Sequence, residues 1–159
     1  MNRRNVLGLS AISALGLALS AGNAAAQSAK DLVGTWTIVS AAASMYGPTP
    51  KGSLIFETNG RYSLQLMRSD LPKYASNNRT RGTSAEYQAT VEGSISYFGT
   101  FSVSGTDLIL HVEGSTFPNL NGTDLRRNNL SVTGDELKYD NPVPSGGVAA
   151  DPTVWKRAK

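Results

Sequence analysis

The chain has no cysteine and a single histidine, His111, among its 159 residues. The first absence excludes disulfides, thiolate zinc sites, iron–sulfur clusters, lipid anchoring through cysteine and thiol nucleophiles. The second excludes a multi-histidine metal cage built by one chain. Charge is sparse at 17 % of residues, and no run of lysine or arginine supplies the footprint of a nucleic-acid binder. The one long hydrophobic run, Val6–Leu19, is rich in glycine, alanine and serine and falls short of the ~20 strongly apolar residues a membrane span needs. No serine sits in a G-x-S-x-G elbow; Gly93-Ser94-Ile95, for example, lacks the spacing. No Gly-rich loop carries a Walker lysine either, so hydrolase and nucleotide-dependent classes have no residues to stand on.

What is present begins with an address. Arg3 and Arg4, with Leu7 three positions on, open the apolar run, and Ala24-Ala25-Ala26 follows as an A-x-A cleavage signal. The pattern R-R-x-x-L reads as a twin-arginine export signal, with an ordinary secretory signal as the alternative. Residues 1–26 are thus expected to be removed, leaving residues 27–159 as one domain in the periplasm or outside a bacterial cell. The formal charge of +3 falls to about +1 once Arg3 and Arg4 leave with the signal. Twin-arginine export carries folded proteins, often around a cofactor. The metal ligands are missing here, so no cofactor is expected, and rapid folding explains the route better. A disulfide-free domain of this size must rest on its own core.

The remainder is a series of short β-prone runs punctuated by Gly, Pro, Asn and Asp. Gly34–Ser40 is the first. Ser53–Glu57 meets Arg61–Met67 across Asn59-Gly60, a dipeptide suited to a two-residue hairpin turn. Tyr97–Val103 and Asp107–Glu113 form a second hairpin, Asn129–Val132 and Glu136–Tyr139 a third, and Thr153–Arg157 closes the chain. The count is eight strands if the weak stretch Ala41–Tyr46 extends the first. Thr83 and Glu86 fit a capping box, with Gly93 as a stop, which predicts one short helix over 84–92. Pro142–Pro152 reads as a rim or connector. Sequential hairpins suggest an all-β, up-and-down antiparallel eight-stranded barrel, whose closure removes exposed strand edges. A β-sandwich would show similar strands and turns.

Gly34-Thr35-Trp36, with Lys156 and Arg157 in the last strand, resembles the lipocalin pattern, in which the tryptophan plugs the closed end beneath a cationic side chain. Leu32–Ser40, Gly47–Gly52, Asn59–Arg68, Tyr97–Phe101 and His111–Ser115 are similar to the bacterial and fungal lipocalin-like domain family. The likeness continues through Phe117-Pro118-Asn119, Gly122–Asp124 and Gly134–Leu137, and so covers nearly all of 31–157. The resemblance implies a small β-barrel with a calyx, and it implies no particular ligand.

Several residues are candidates for chemistry. His111 and Glu113, two apart on one strand, leave the same face, opposite Leu108, Leu110 and Val112. Facing inward, they would form an acid–base pair; facing outward, a solvated surface. Arg61, Arg68, Arg79 and Arg81, with Asp70, Asn77 and Asn78 among them, make either an anion-receptive mouth or a solvated loop of local ion pairs. Leu71, Pro72 and Tyr74 would give such a mouth an apolar lip. Tyr97 and Gln65 are nominated as polar contacts in an otherwise apolar pocket. Mid-strand Gly99 signals a bulge, a bend or a close backbone approach. Asn119 and Asp124, in a turn-rich segment at one end of the barrel, are either binding residues or Asx-turn formers. The sequons at Asn78 and Asn121 are discounted for a bacterial protein.

The expected function is binding or carriage of a small hydrophobic or amphipathic molecule, with no nucleic acid and no stable membrane insertion of the mature chain. Two alternatives stand beside it: a cofactor-independent isomerase or cyclase using His111 and Glu113, and a filled, ligand-free structural barrel.

Overall fold

The computed structural model describes residues 27–147 and 151–159. The expected export signal lies outside the described residues, as do residues 148–150 of the last connector. Eight strands form one closed barrel: β1 (Gly34–Ser40), β2 (Lys51–Phe56), β3 (Arg61–Met67), β4 (Ser94–Ser104), β5 (Asp107–Ser115), β6 (Asp124–Thr133), β7 (Glu136–Asp140) and β8 (Thr153–Arg157). Each pairs antiparallel with its sequence neighbours, and β8 returns to β1 through Trp36 opposite Arg157 and Ile38 opposite Trp155. No sheet edge is left, which rules out the sandwich.

The period-2 pattern fixes the inward set. Tyr62, Leu64 and Leu66 of β3 and Leu108, Leu110 and Val112 of β5 are buried, while their neighbours face out. The helix falls at Ser84–Glu92 (α3), where Thr83 Oγ1 accepts from the Glu86 amide at 3.3 Å and Glu86 accepts from the Thr83 amide at 2.7 Å. Two short helices were not expected: α1 (Ala29–Leu32), and α2 (Ala43–Tyr46), which replaces the proposed extension of the first strand. The β2–β3 turn is also longer than the sequence suggested. It spans residues 57–60, only Gly60 takes the left-handed conformation (φ 83°), and Asn59 uses its side-chain oxygen to accept from the Arg61 amide instead.

The alternation of strand direction makes the two barrel ends different. The three tight hairpins and α1 gather at one end. There Trp36 is fully buried, donates from its indole to the Leu32 carbonyl at 2.8 Å, and lies under Arg157, whose guanidinium centre is 4.1 Å from the ring. Arg157 is held in turn by the carbonyls of Val33 and Asp31. Phe56, Phe101 and Leu137 fill the space above, so this end is a sealed floor. The four long connections gather at the other end: residues 41–50 with α2, residues 68–93 with α3, residues 116–123 with a 3-10 turn at Pro118–Leu120, and the connector after β7.

Two bulges shape the walls. One lies at Phe98/Gly99, where a Cβ on Gly99 would collide with the His111 carbonyl oxygen. The expected close approach is therefore of backbone to backbone. The other lies between Asn128 and Ser131 in β6, with Asn129 at φ 53°. It reverses the inward frame: Arg127 faces in before it, and Leu130 after it.

Candidate functional site

The floor is filled but the upper interior is not. A cavity of about 60 Å³ lies beneath the loop end, walled by Leu64, Leu66, Ile95 and Leu125 and roofed by α2 and by Val143, Pro144 and Ser145. The first residues of the Pro142–Pro152 connector therefore cover the mouth. Outside lies an open vestibule of about 850 Å³ between α2, α3 and the segment around Phe117. Met45, Tyr46, Ile95 and Ser145 belong to both walls, so cavity and vestibule adjoin.

The cavity's main polar groups come from β4, β6 and the end of β7. Tyr97, Tyr139, Arg127 and Asn141 line it, and Tyr46 enters from α2. Arg127 is 6 % exposed. Its Nη1 donates to Asn141 Oδ1 at 2.8 Å and to the Arg126 carbonyl at 3.2 Å, its Nη2 makes a long contact to the Tyr97 hydroxyl at 3.4 Å, and the Tyr139 hydroxyl also lies against the guanidinium. Trp155 donates to the Tyr139 hydroxyl at 3.1 Å. The Tyr62 ring packs against Tyr97 at 6.1 Å, and its buried hydroxyl has no partner among the described residues. Burial pushes the Tyr46 phenol up to about 12 and raises Tyr62 and Tyr139 as well, so these hydroxyls stay protonated as donors. Burial works against the Arg127 charge, and the phenols around it raise its pKa only as they themselves ionise in strong alkali, so near neutral pH the guanidinium is charged and faces neutral hydroxyls.

Of the sequence candidates, only Tyr97 lies in this cavity. His111 and Glu113 project from the outer face because Leu108, Leu110 and Val112 take the inner one. His111 Nδ1 pairs with Asp124 across β5 and β6 at 2.8 Å, and Glu113 pairs with Arg61 at 2.7 Å, both in solvent. Of the two alternatives for these residues the structure has the outward one, so the acid–base pair on which the isomerase or cyclase reading was built does not form inside the barrel. Gln65 is likewise on the outer face, where it donates to Ser63 at 2.7 Å, and is no pocket contact. Arg68 forms a two-point pair with Asp70 (2.8 and 2.9 Å), and that guanidinium lowers the Asp70 carboxyl. Arg68 and Arg79 line the vestibule, with Leu71 and Pro72 as the apolar lip. Asn119 is exposed in the 3-10 turn and lines neither space.

The geometry of a sealed floor, an adjoining cavity and vestibule and a closed eight-stranded wall agrees with the family comparison. A lipocalin-like domain model matches residues 33–158. The chain belongs to the lipocalin-like domain family. No curated protein matches it. Among solved structures, a redesigned β-barrel is similar at 16 % identity, covering 85 % of this chain and 98 % of its own, with a TM-score of 0.47. The strand pairing itself carries the fold assignment. No helix among the described residues of this lipocalin-like chain is long and apolar enough to cross a membrane.

The residue that sequence reasoning missed is Arg127. It sits in Asp124–Asn129, where only Leu125 is apolar, and the strand was expected to begin at Asn129. A signal was available: adjacent residues on a strand point to opposite faces, so Arg126 and Arg127 cannot both reach solvent. Arg126 takes the outer face and pairs with Asp107.

Proposed function

We propose that this lipocalin-like protein is exported and that its barrel binds or carries one small, mostly apolar molecule through the loop end. The observation that carries the reading is that the inner cavity and the vestibule lie side by side, sharing Met45, Tyr46, Ile95 and Ser145 as the wall between them. The inner space suits only the end of a ligand, while the vestibule has the size of an ordinary small-molecule site, ~300–1,000 Å³. The export half of the proposal rests on Arg3, Arg4 and Ala24–Ala26.

Native mass spectrometry of protein recovered without detergent from the periplasm tests both halves. The expected result is a chain beginning at Gln27 that carries a discrete extra mass lost on denaturation. Retention of residues 1–26 overturns the export half. A bare chain whose amide resonances at Ile95, Leu125 and Tyr139 are unmoved by medium-chain alcohols and acids overturns the binding half and leaves a structural barrel.

A further inference from the structure

We propose that the ligand is an organic monoanion whose acid head enters the inner cavity and pairs with Arg127. This rests on the small-molecule reading above and names the ligand class. The four ion pairs among the described residues, Arg61–Glu113, Arg68–Asp70, His111–Asp124 and Arg126–Asp107, all lie on the outside or at the rim, and none includes Arg127. Residues 1–26 and 148–150 contain no aspartate or glutamate, so they hold no acid that could neutralise it. The partners Arg127 does have, Asn141 Oδ1, the Arg126 carbonyl and the Tyr97 and Tyr139 hydroxyls, satisfy donors without balancing charge. A buried cation without a counter-ion is costly, and it lines a cavity.

The donor geometry fits an oxyanion. Nη1 has given both its hydrogens to protein acceptors, and Nη2 has only the long contact to Tyr97 and the Tyr139 hydroxyl beside it, so it is the guanidinium's weakly held edge. The Tyr97 hydroxyl, accepting from Arg127, retains its own proton to donate to the same guest. An oxyanion accepting from both would make charge-assisted bonds in a space largely closed to water. The cavity admits a carboxylate-sized head and leaves the apolar body to the vestibule, against Leu71, Pro72, Val91 and Phe117. Charge sets the valence. One guanidinium balances one negative charge, and a dianion would leave the interior net negative. The vestibule's own charges, Arg68 and Arg79 against Asp70 and Glu92, cancel, so the preference for an anion arises at Arg127.

Octanoate and octan-1-ol share a body and differ in the head, and neither absorbs where tryptophan emits. Titration of the purified protein, followed by tryptophan fluorescence, to which Trp155 in the cavity wall contributes, and by calorimetry, is expected to show one octanoate bound about tenfold to a hundredfold more tightly than octanol. The preference should persist in high salt, since a buried pair is little screened. Arg127→Met should bring the two ligands to parity while octanol binding survives, and Arg68→Gln should leave the preference intact. Octanol binding as well as octanoate in the unmodified protein overturns the anion inference and leaves the small-molecule reading standing. So does a preference lost in salt or abolished by Arg68→Gln. Binding of neither ligand overturns both. The unmodified protein decides the question even if Arg127→Met fails to fold.

Discussion

Trp36→Ala is expected to destabilise the barrel by ~3–5 kcal/mol, the range for truncating a buried large aromatic. The indole is completely buried, and the wall around it is a closed ladder in which every strand is tied to two neighbours, so the void cannot collapse. Two parts of the loss can be separated. Removal of the indole N–H leaves the buried Leu32 carbonyl without its 2.8 Å donor, which Trp36→Phe should register as ~1–2 kcal/mol with most of the ring retained. The contact with Arg157 at 4.1 Å should appear in a double-mutant cycle with Arg157→Leu as a coupling of ~0.5–2 kcal/mol. Arg157 also donates to the carbonyls of Val33 and Asp31, so the single Arg157→Leu loss should exceed the coupling. With ~5–15 kcal/mol in a typical domain, Trp36→Ala should still fold in the cold, and urea melts followed by far-UV dichroism and by Trp155 emission measure it. A loss below about 1 kcal/mol, or zero coupling to Arg157, refutes the sealed-floor account.

Gly99→Ala should cost at least ~2–3 kcal/mol in the same melts, because its Cβ would collide with the His111 backbone oxygen rather than with a movable side chain; a loss under about 1 kcal/mol contradicts the geometry. Arg127→Met should be neutral or stabilising by up to ~1–4 kcal/mol in ligand-free protein, since an uncompensated buried charge is exchanged for an apolar chain of similar length; destabilisation by more than about 2 kcal/mol would show the cation to be a structural necessity. The Ala75 and Thr83 amides lower the Glu86 carboxyl, so its contribution is complete above the ordinary carboxylate range and disappears as pH falls through the depressed folded-state value. Glu86→Gln should therefore speed hydrogen exchange at Ala75 and Thr83 near neutral pH and make no difference in acid; equal exchange at neutral pH would remove Glu86 as the clasp between α3 and its preceding loop.

Local chemistry made much of the fold legible. Short β-prone runs and turn residues marked out most of the strands, and the Thr83–Glu86 capping box gave α3 to the residue. The likeness of Trp36 and Arg157 to the lipocalin pattern implied the floor, while the inward face of β5 stayed open and that of β3 was misjudged at Gln65. The losses have a common cause. Ala41–Tyr46 carries no decisive periodicity, and its helical turn forms where it roofs the cavity. The start of β6 is polar at nearly every position, and what makes it a strand is pairing to Leu108–His111 of β5, a long-range term invisible in the local pattern. The bulge then hides the direction of Arg127. Counted back from Leu130 and Val132 in steps of two, Asn128 and Arg126 would face inward; the extra residue at Asn129 puts Leu125 and Arg127 there instead.

That inversion also explains why the better-looking candidates were poor ones. His111, Glu113, Gln65, Arg61 and Asp124 drew attention as clustered polar groups, yet a barrel strand with an apolar inner face must put its polar residues outside, where pairing is ordinary and weakly stabilising. Polarity on the outer face therefore carries little information about function. Polarity on the inner face does, because each such group displaces apolar burial and must find a partner away from bulk water. Arg127 is the only charged side chain among the buried residues described, and Tyr97, Tyr139 and Asn141 line the same cavity. In a closed β-barrel the most telling sequence feature is thus the residue that breaks the inward apolar pattern, and a bulge is the place where a frame-counting reading loses it.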